Sequence, residues 1–375
     1  MDRMPVEIYG EVCRYLDLRS LSQLSSCCKI QRDIALPTLY KEMRIHVNSL
    51  GADPSSLRFM RTLTEVPQIR RFLRHIVVSG GGESIWTANS YVEHLCVALA
   101  GLFRGSPKLA LQSFVWRLPI HKKLDVGILR HLPPELACLA VDQALIDKSV
   151  QFSALHELSC TQLSSLSDVA WVRKQVQRNR LRKLLLGLAP FAHRCVHLRS
   201  ITHLLHMIGP SQHARDLTHL ELTKFDLSQW PMQEITNLAQ LTLQNCTSVG
   251  LALQSLVDHN PTCTALRVLS LTVPYEQVSF AECLHKLGRT APLTDLCILT
   301  GGRQQPLPVA SILAFRASLE HLVLESREQA WDASSVLLYP PRSFEVVITS
   351  FSKLKSLGMP VKLDQASRAF WVRIS

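Results

Sequence analysis

The segments LTHLEL (217–222), LAQLTL (238–243), LRVLSL (266–271), LTDLCI (293–298), LEHLVL (319–324) and LKSLGM (354–359) repeat one arrangement, with leucine at the first and fourth positions and an apolar residue at the sixth. Their starts lie 21, 28, 27, 26 and 35 residues apart. Four related segments precede them: LQSFVW (111–116), LACLAV (136–141), LHELSC (155–160) and LRKLLL (181–186). Leu makes up 62 of the 375 residues, so random placement would give roughly five strict matches where nine occur. The regular spacing therefore carries more weight than the count.

Helices are expected between these segments, at Val249 to His259, Phe280 to Arg289, Val309 to Arg316 and Ser343 to Ser352. A repeated strand, loop and helix predicts an α/β chain: a solenoid with a parallel sheet on its concave face and helices on its convex face, each unit burying its neighbour's leucines. These units resemble leucine-rich repeats of the long, degenerate kind. They depart from that pattern in one respect, because the Asn or Cys expected three residues past the last apolar position occurs only as Cys246. Strand alternation turns the leucines inward and puts His219, Glu221, Gln240, Thr242, Val268, Ser270, Asp295, His321 and Val323 on the concave surface. These are the candidate target-binding side chains.

The amino-terminal stretch MPVEIYGEVCRYLDLRSLSQLSSCCKIQRDIALPTLYKEMRIHV (4–47) has a different grain. Pro5 suits a first helical turn and Glu7 favours the positive end of the helix dipole. Ile8, Val12, Tyr15 and Leu16 then recur at helical spacing, predicting a helix that runs to Leu16. Asp17 is a candidate N-cap for a second helix carrying Leu18, Leu21 and Leu24. A third helix is expected from about Cys27, with Ile30, Ile34 and Leu39 inward and a break or restart at Pro37. Three short helices cannot bury much surface alone, so they need a partner.

The order of these signals resembles the F-box, a helical adaptor-binding module of fungal style here. Pro5, Glu7 and Ile8 match its opening, with Met4 in place of the usual leucine. Val12, Tyr15 and Leu16 follow at the expected distance, and Leu21, Leu24, Lys29 and Arg32 complete the pattern, while Gln31 stands where a Trp is usual. The resemblance implies docking to a Skp-type adaptor, and through it to a cullin, by Met4, Pro5, Ile8, Val12, Tyr15, Leu16, Leu21, Leu24, Lys29 and Ile34. It covers about 45 residues. Residues 1–48 are then the adaptor-binding module, 49–72 a helical linker and cap whose helix starts at Asp53-Pro54 and runs to Glu65, and 73–375 the recognition solenoid. Under that reading the chain is a non-catalytic substrate receptor of a ubiquitin ligase that binds an unknown protein. A repeat scaffold without any ligase role is the alternative.

Other chemistry finds little support. Gly80, Gly81 and Gly82 follow an expected strand (73–78) but lack the residues of a phosphate-binding loop, so they read as a turn. His193, Cys195, His197, His203 and His206 are the densest potential ligand set, without the glutamate or cysteine pair that zinc sites use. No metal, cofactor or catalytic group is expected. Eleven scattered cysteines, among them Cys96, Cys138 and Cys297, read as reduced core thiols of a cytoplasmic or nuclear protein. The net charge of +11 is concentrated, with 20 basic against 10 acidic residues in 51–200. Arg173, Lys174, Arg178, Arg180, Arg182 and Lys183 form its densest cluster, on a stretch expected to run from helix into strand. Such a cluster serves as a solvated helix face or as a binding site for an acidic or phosphorylated partner. Low aromatic content, 6%, argues against a nucleic-acid platform.

Overall fold

The computed structural model describes residues 5–48, 51–80, 89–104, 109–118, 127–142, 146–189, 216–228, 237–259, 265–273, 280–302, 305–328 and 336–362. The chain is mixed α/β and divides into two compact units, Met1–Leu158 and Ser159–Ser375. Among the described residues no helix is long and apolar enough to cross a membrane.

The first unit opens with three helices, α1 (Val6–Tyr15), α2 (Leu18–Cys27) and α3 (Lys29–Leu39). Asp17 caps α2 by accepting a 2.7 Å hydrogen bond from the Ser20 amide. The three helices share a small core of Cys13, Leu21 and Ala35, with Leu16, Leu24, Ile34 and Leu39 packed around it. Two expectations fail here. Helix α3 runs through Pro37 because the proline falls in the last turn: it forfeits one amide, and Tyr40 N–H closes on Leu36 O at 3.0 Å. Ile30 points outward, lying about 140° from buried Ala35 on the helical wheel.

Strand β1 (Glu42–Asn48) follows at once, turns back through the two-residue β2 (Gly51–Ala52), and pairs in parallel with β3 (His75–Gly80). The sheet thus begins at Glu42. Helix α4 (Pro54–Glu65) crosses between them, capped by Asp53, and is followed by the short α5 (Pro67–Arg70). Its last-turn carbonyls, Leu63 O and Thr64 O, accept 2.6 and 3.0 Å bonds from the buried Arg70 guanidinium. After α6 (Asn89–Arg104), β4 (Ser113–Trp116) and β5 (Cys138–Asp142) extend the parallel pairing. β6 (Glu157–Leu163) spans the division between the units.

In the second unit α7 (Leu166–Arg178) starts on a capping box made by Ser165 and Asp168. Parallel strands β7 (Lys183–Leu188), β8 (His219–Thr223), β9 (Gln240–Gln244), β10 (Val268–Val273), β11 (Asp295–Thr300), β12 (His321–Arg327) and β14 (Ser356–Gly358) pair in chain order, while the two-residue β13 (Val336–Leu337) closes antiparallel on β12. Each strand starts at the third residue of its leucine segment, and the register never slips: Lys183, His219, Gln240, Val268, Asp295, His321 and Ser356 form one rung. One contact recurs at the strand entrances. The carbonyl just before each strand accepts two amides from the next, as Arg267 O does from Thr294 N (2.8 Å) and Asp295 N (3.0 Å), and Thr294 O from Glu320 N (2.8 Å) and His321 N (2.9 Å). The leucines of these segments are buried, Leu241, Leu243, Leu269 and Leu271 among them.

Helices α8 (Val249–His259) and α9 (Phe280–Leu287) pack side by side behind this sheet, and α10 (Pro341–Ser350) precedes the last strand. The helix expected over Val309 to Arg316 is instead two 3₁₀ turns, Val309–Ser311 and Leu313–Phe315. Val309, Ile312 and Phe315 are all buried, and a three-residue period is what a 3₁₀ turn presents on one side. The missing Asn/Cys ladder has a counterpart too. Lys224 (φ 67°) and Asn245 (φ 53°) make equivalent left-handed turns after β8 and β9, and send Phe225 and Cys246 inward. The Cys246 thiol reaches Leu222 O at 3.4 Å, and burial pushes its pKa up to about 12. Phe225 does by packing what a ladder residue does by hydrogen bonding.

Candidate functional site

Three surfaces compete for the role of functional site. On α1, Ile8, Val12 and Tyr15 recur at i, i+4 and i+7 and so share one stripe, turned about 100° or more from the core-facing side marked by Cys13. Tyr15 is 87% exposed, Ile8 49% and Val12 43%; Leu18 at the start of α2 and Ile30 on α3 are exposed at 68% and 69%. Scattered exposed apolar residues are ordinary, so the three that share one side of α1 are the candidate docking residues of this segment.

The other residues assigned to adaptor docking divide. Pro5 occupies the N-cap position of α1 without a side-chain capping bond and is exposed, as is Lys29 at the start of α3. Leu16, Leu24 and Ile34 are half-buried at the rim of the small core, and Leu21 lies inside it. Met4 lies outside the described residues. Gln31 turns toward the core, where its Oε1 is shielded from solvent without a hydrogen-bond partner among the described residues. A cleft of about 1280 Å³ is lined by Leu16, Leu18, Leu21, Met43, Phe59 and Phe72, and none of the three stripe residues lines it.

The second surface is the outward face of strands β8 to β12. Register places His219, Gln240, Asp295 and His321 on one rung, and Glu221, Thr242, Ser270 and Val323 on the next. Most of these side chains are half-buried, His321 is exposed, and Thr242 is nearly closed off. Glu221 accepts a 3.1 Å bond from Gln244 Nε2; burial raises its carboxyl above the usual range, against the opposing pull of Lys183. His321 Nδ1 meets Ser356 Oγ at 2.7 Å. Cys138 and Cys297, expected in the core, sit on this outward side of β5 and β11, whereas Cys96 is buried in α6. Strand alternation decides this, because both cysteines fall between inward positions.

The third surface is basic. Arg173, Lys174 and Arg178 are exposed on α7, Arg180 and Arg182 are exposed on the approach to β7, and Lys183 begins that strand half-buried. Trp171, the aromatic of this stretch, is fully buried. The histidine group at 193–206 and Gly81 and Gly82 lie outside the described residues; Gly80 ends β3. Among the described residues no cluster of His, Cys, Asp or Glu is arranged to hold a metal ion.

Sequence reasoning found the stripe residues Ile8, Val12 and Tyr15 but took Ile30 for an inward residue. The signal that separates them is the angular distance of Ile30 from Ala35, visible once Ala35 is recognised as core. Searches of the sequence against protein-family models and against curated proteins return no match.

Proposed function

We propose that this chain is the substrate-recognition subunit of a Skp, cullin and F-box ubiquitin ligase, with the α1–α3 segment docking on a Skp-type adaptor and the strand-and-helix repeats holding a target protein. The observation that carries the reading is the exposed stripe of Ile8, Val12 and Tyr15 on a segment that has its own small core. A segment that merely capped the sheet would turn its largest apolar side chains toward the sheet. Here they face away from the core, as a docking surface requires, and their order along the chain resembles the F-box. Catalysis would belong to other subunits, and this chain would contribute proximity, holding the target's lysines near a ubiquitin-loaded enzyme.

The test uses point variants of the full chain. A deletion through residue 45 would cut β1 in the middle of its pairing with β3. Val12→Asp with Tyr15→Asp places two charges on the stripe and leaves the core of Cys13, Leu21 and Ala35 intact. Wild-type protein should co-purify with a Skp-type adaptor and the double variant should not. Folded wild-type protein that captures no adaptor would overturn the assignment and leave a repeat scaffold.

A further inference from the structure

The cleft beside the α1–α2 link draws its lining from the three helices, β1, α4 and the approach to β3, all within the first compact unit. Its deepest members are apolar, Leu21 and Met43 being 2% and 1% exposed. Half-buried Leu16, Phe59 and Phe72 continue this surface, and Leu18 stands at its exposed margin. At about 1280 Å³ the cleft exceeds the roughly 300–1,000 Å³ of most small-molecule sites, which leaves room for a long chain as well as its head group.

The charged lining is unbalanced. Arg14, Arg19, Lys41, Arg44 and Arg74 stand against two acids, Asp17 and Glu42, and both acids are engaged. Asp17 caps α2 through the Ser20 amide, and Glu42 pairs with Arg44 at 2.7 Å. Arg14 pairs with Glu11, but Arg19, Lys41 and Arg74 form no ion pair among the described residues. Lys41 and Arg74 are neighbours, since Lys41 O accepts a 2.8 Å bond from Arg74 N. Burial, Lys41 and Arg74 together hold the His75 imidazole below its ordinary range, against the pull of Glu42. The cleft therefore combines a hydrocarbon surface with a positive end.

We propose that this cleft binds one molecule of a free long-chain carboxylate, its chain along Leu21, Met43, Phe59 and Phe72 and its head beside Lys41 and Arg74. A hydrocarbon chain gains by leaving water and needs no hydrogen bond, while the carboxylate meets cations that lack an acidic partner. A peptide fits less well, because its polar main chain must be satisfied once it leaves water. The hydroxyls of Ser55 and Ser56 in the lining are already used, on Asp53 and, at 3.0 Å, on Arg44 O. A bilayer fits less well too, because it takes up apolar side chains that protrude, whereas Leu21 and Met43 are recessed. None of Ile8, Val12 and Tyr15 lines the cleft, so this activity goes beyond the receptor role and does not rest on it.

The experiment titrates the full chain with octanoate, decanoate and dodecanoate, each below its micelle concentration, and with decanol, in a calorimeter. One molecule should bind per chain, and each added methylene should tighten binding about two- to fourfold, as burial of a CH₂ group predicts. Decanoate should bind about tenfold more tightly than decanol, the effect of a hydrogen bond to a charged group. Arg19→Ser with Lys41→Ser replaces two exposed side chains. That variant should lower the preference for decanoate several-fold while leaving the chain-length dependence and the thermal midpoint unchanged. Val12→Asp with Tyr15→Asp should bind decanoate as wild type does. Binding that ignores chain length, equal binding of decanoate and decanol, or an unaltered preference in the Arg19 and Lys41 variant would each overturn the proposal. So would tighter binding to phosphatidylserine vesicles, or to an acidic amphipathic peptide, than to dodecanoate.

Discussion

The α1–α3 segment and the strand ladder bury apolar residues to opposite extents. In the ladder, Leu243, Leu269 and Leu271 have no solvent exposure, and each strand's leucines lie against the same positions of its neighbours. In the helices, three fully buried residues hold the segment together while Tyr15, Leu18 and Ile30 stay mostly exposed. A repeat completes its core with the next repeat of its own chain. The three short helices have no repeat of their own kind to pack against, and leave those apolar side chains on the surface.

The largest expected effect lies in the ladder. Leu243→Ala should lower stability by about 2–5 kcal/mol in urea unfolding, since a fully buried leucine leaves a cavity its neighbours cannot close; a loss far below that would mean the ladder is loosely packed and the contrast is false. Behind the sheet, a Cβ added at Gly288 would lie 2.6 Å from Ala314 Cβ and 3.1 Å from its carbonyl carbon. Gly288→Ala should therefore cost about 1–3 kcal/mol through forced repacking of the 3₁₀ turn, read as a fall in the thermal midpoint.

A gain is expected on the helical side. Gln31→Met removes the unpartnered, shielded Oε1 at similar volume and should stabilise the protein by about 1 kcal/mol, which equilibrium unfolding would detect. The smallest effect belongs to the stripe: Tyr15→Ser should change stability by no more than about 0.5 kcal/mol, as for other exposed positions, even though it should weaken adaptor capture. A substantial loss of stability would show that Tyr15 supports the fold.

Asp226 provides a pH test at the ladder's turns. Burial pushes its carboxyl up, but hydrogen bonds from Ser248, Ser228 and Thr247 outweigh that and hold it below the usual carboxylate range. A folded pKa below the unfolded value means the carboxylate stabilises the fold above the unfolded pKa of about 4, and that contribution is lost as pH falls through the folded pKa. Wild type should therefore lose stability in acid more steeply than Asp226→Asn, as measured by unfolding midpoints across that range.

Much of this was legible in the chain. Strands begin at the third residue of the leucine segments because inward leucines at alternating positions leave no other register. Asp17 and Asp53 announce α2 and α4 because capping is a local interaction. The misreadings involve competition between local and distant contacts. Val309, Ile312 and Phe315 read as helix until the period of three is noticed, and Ala314 in the second of these turns stands close against Gly288. Cys138 and Cys297 read as core because cysteine is small and apolar, yet the pleat carries them outward.

The sequence by itself determined the repeat, its spacing, the caps and the concentration of positive charge between Val169 and Arg215. These depend on neighbours along the chain. Tertiary structure alone decided that Leu21 is core while Tyr15 and Ile30 are surface, and that Phe225 takes the place of a ladder residue. Each of those depends on which side chains meet across elements distant in sequence, and periodicity says only that a face is apolar, never what covers it.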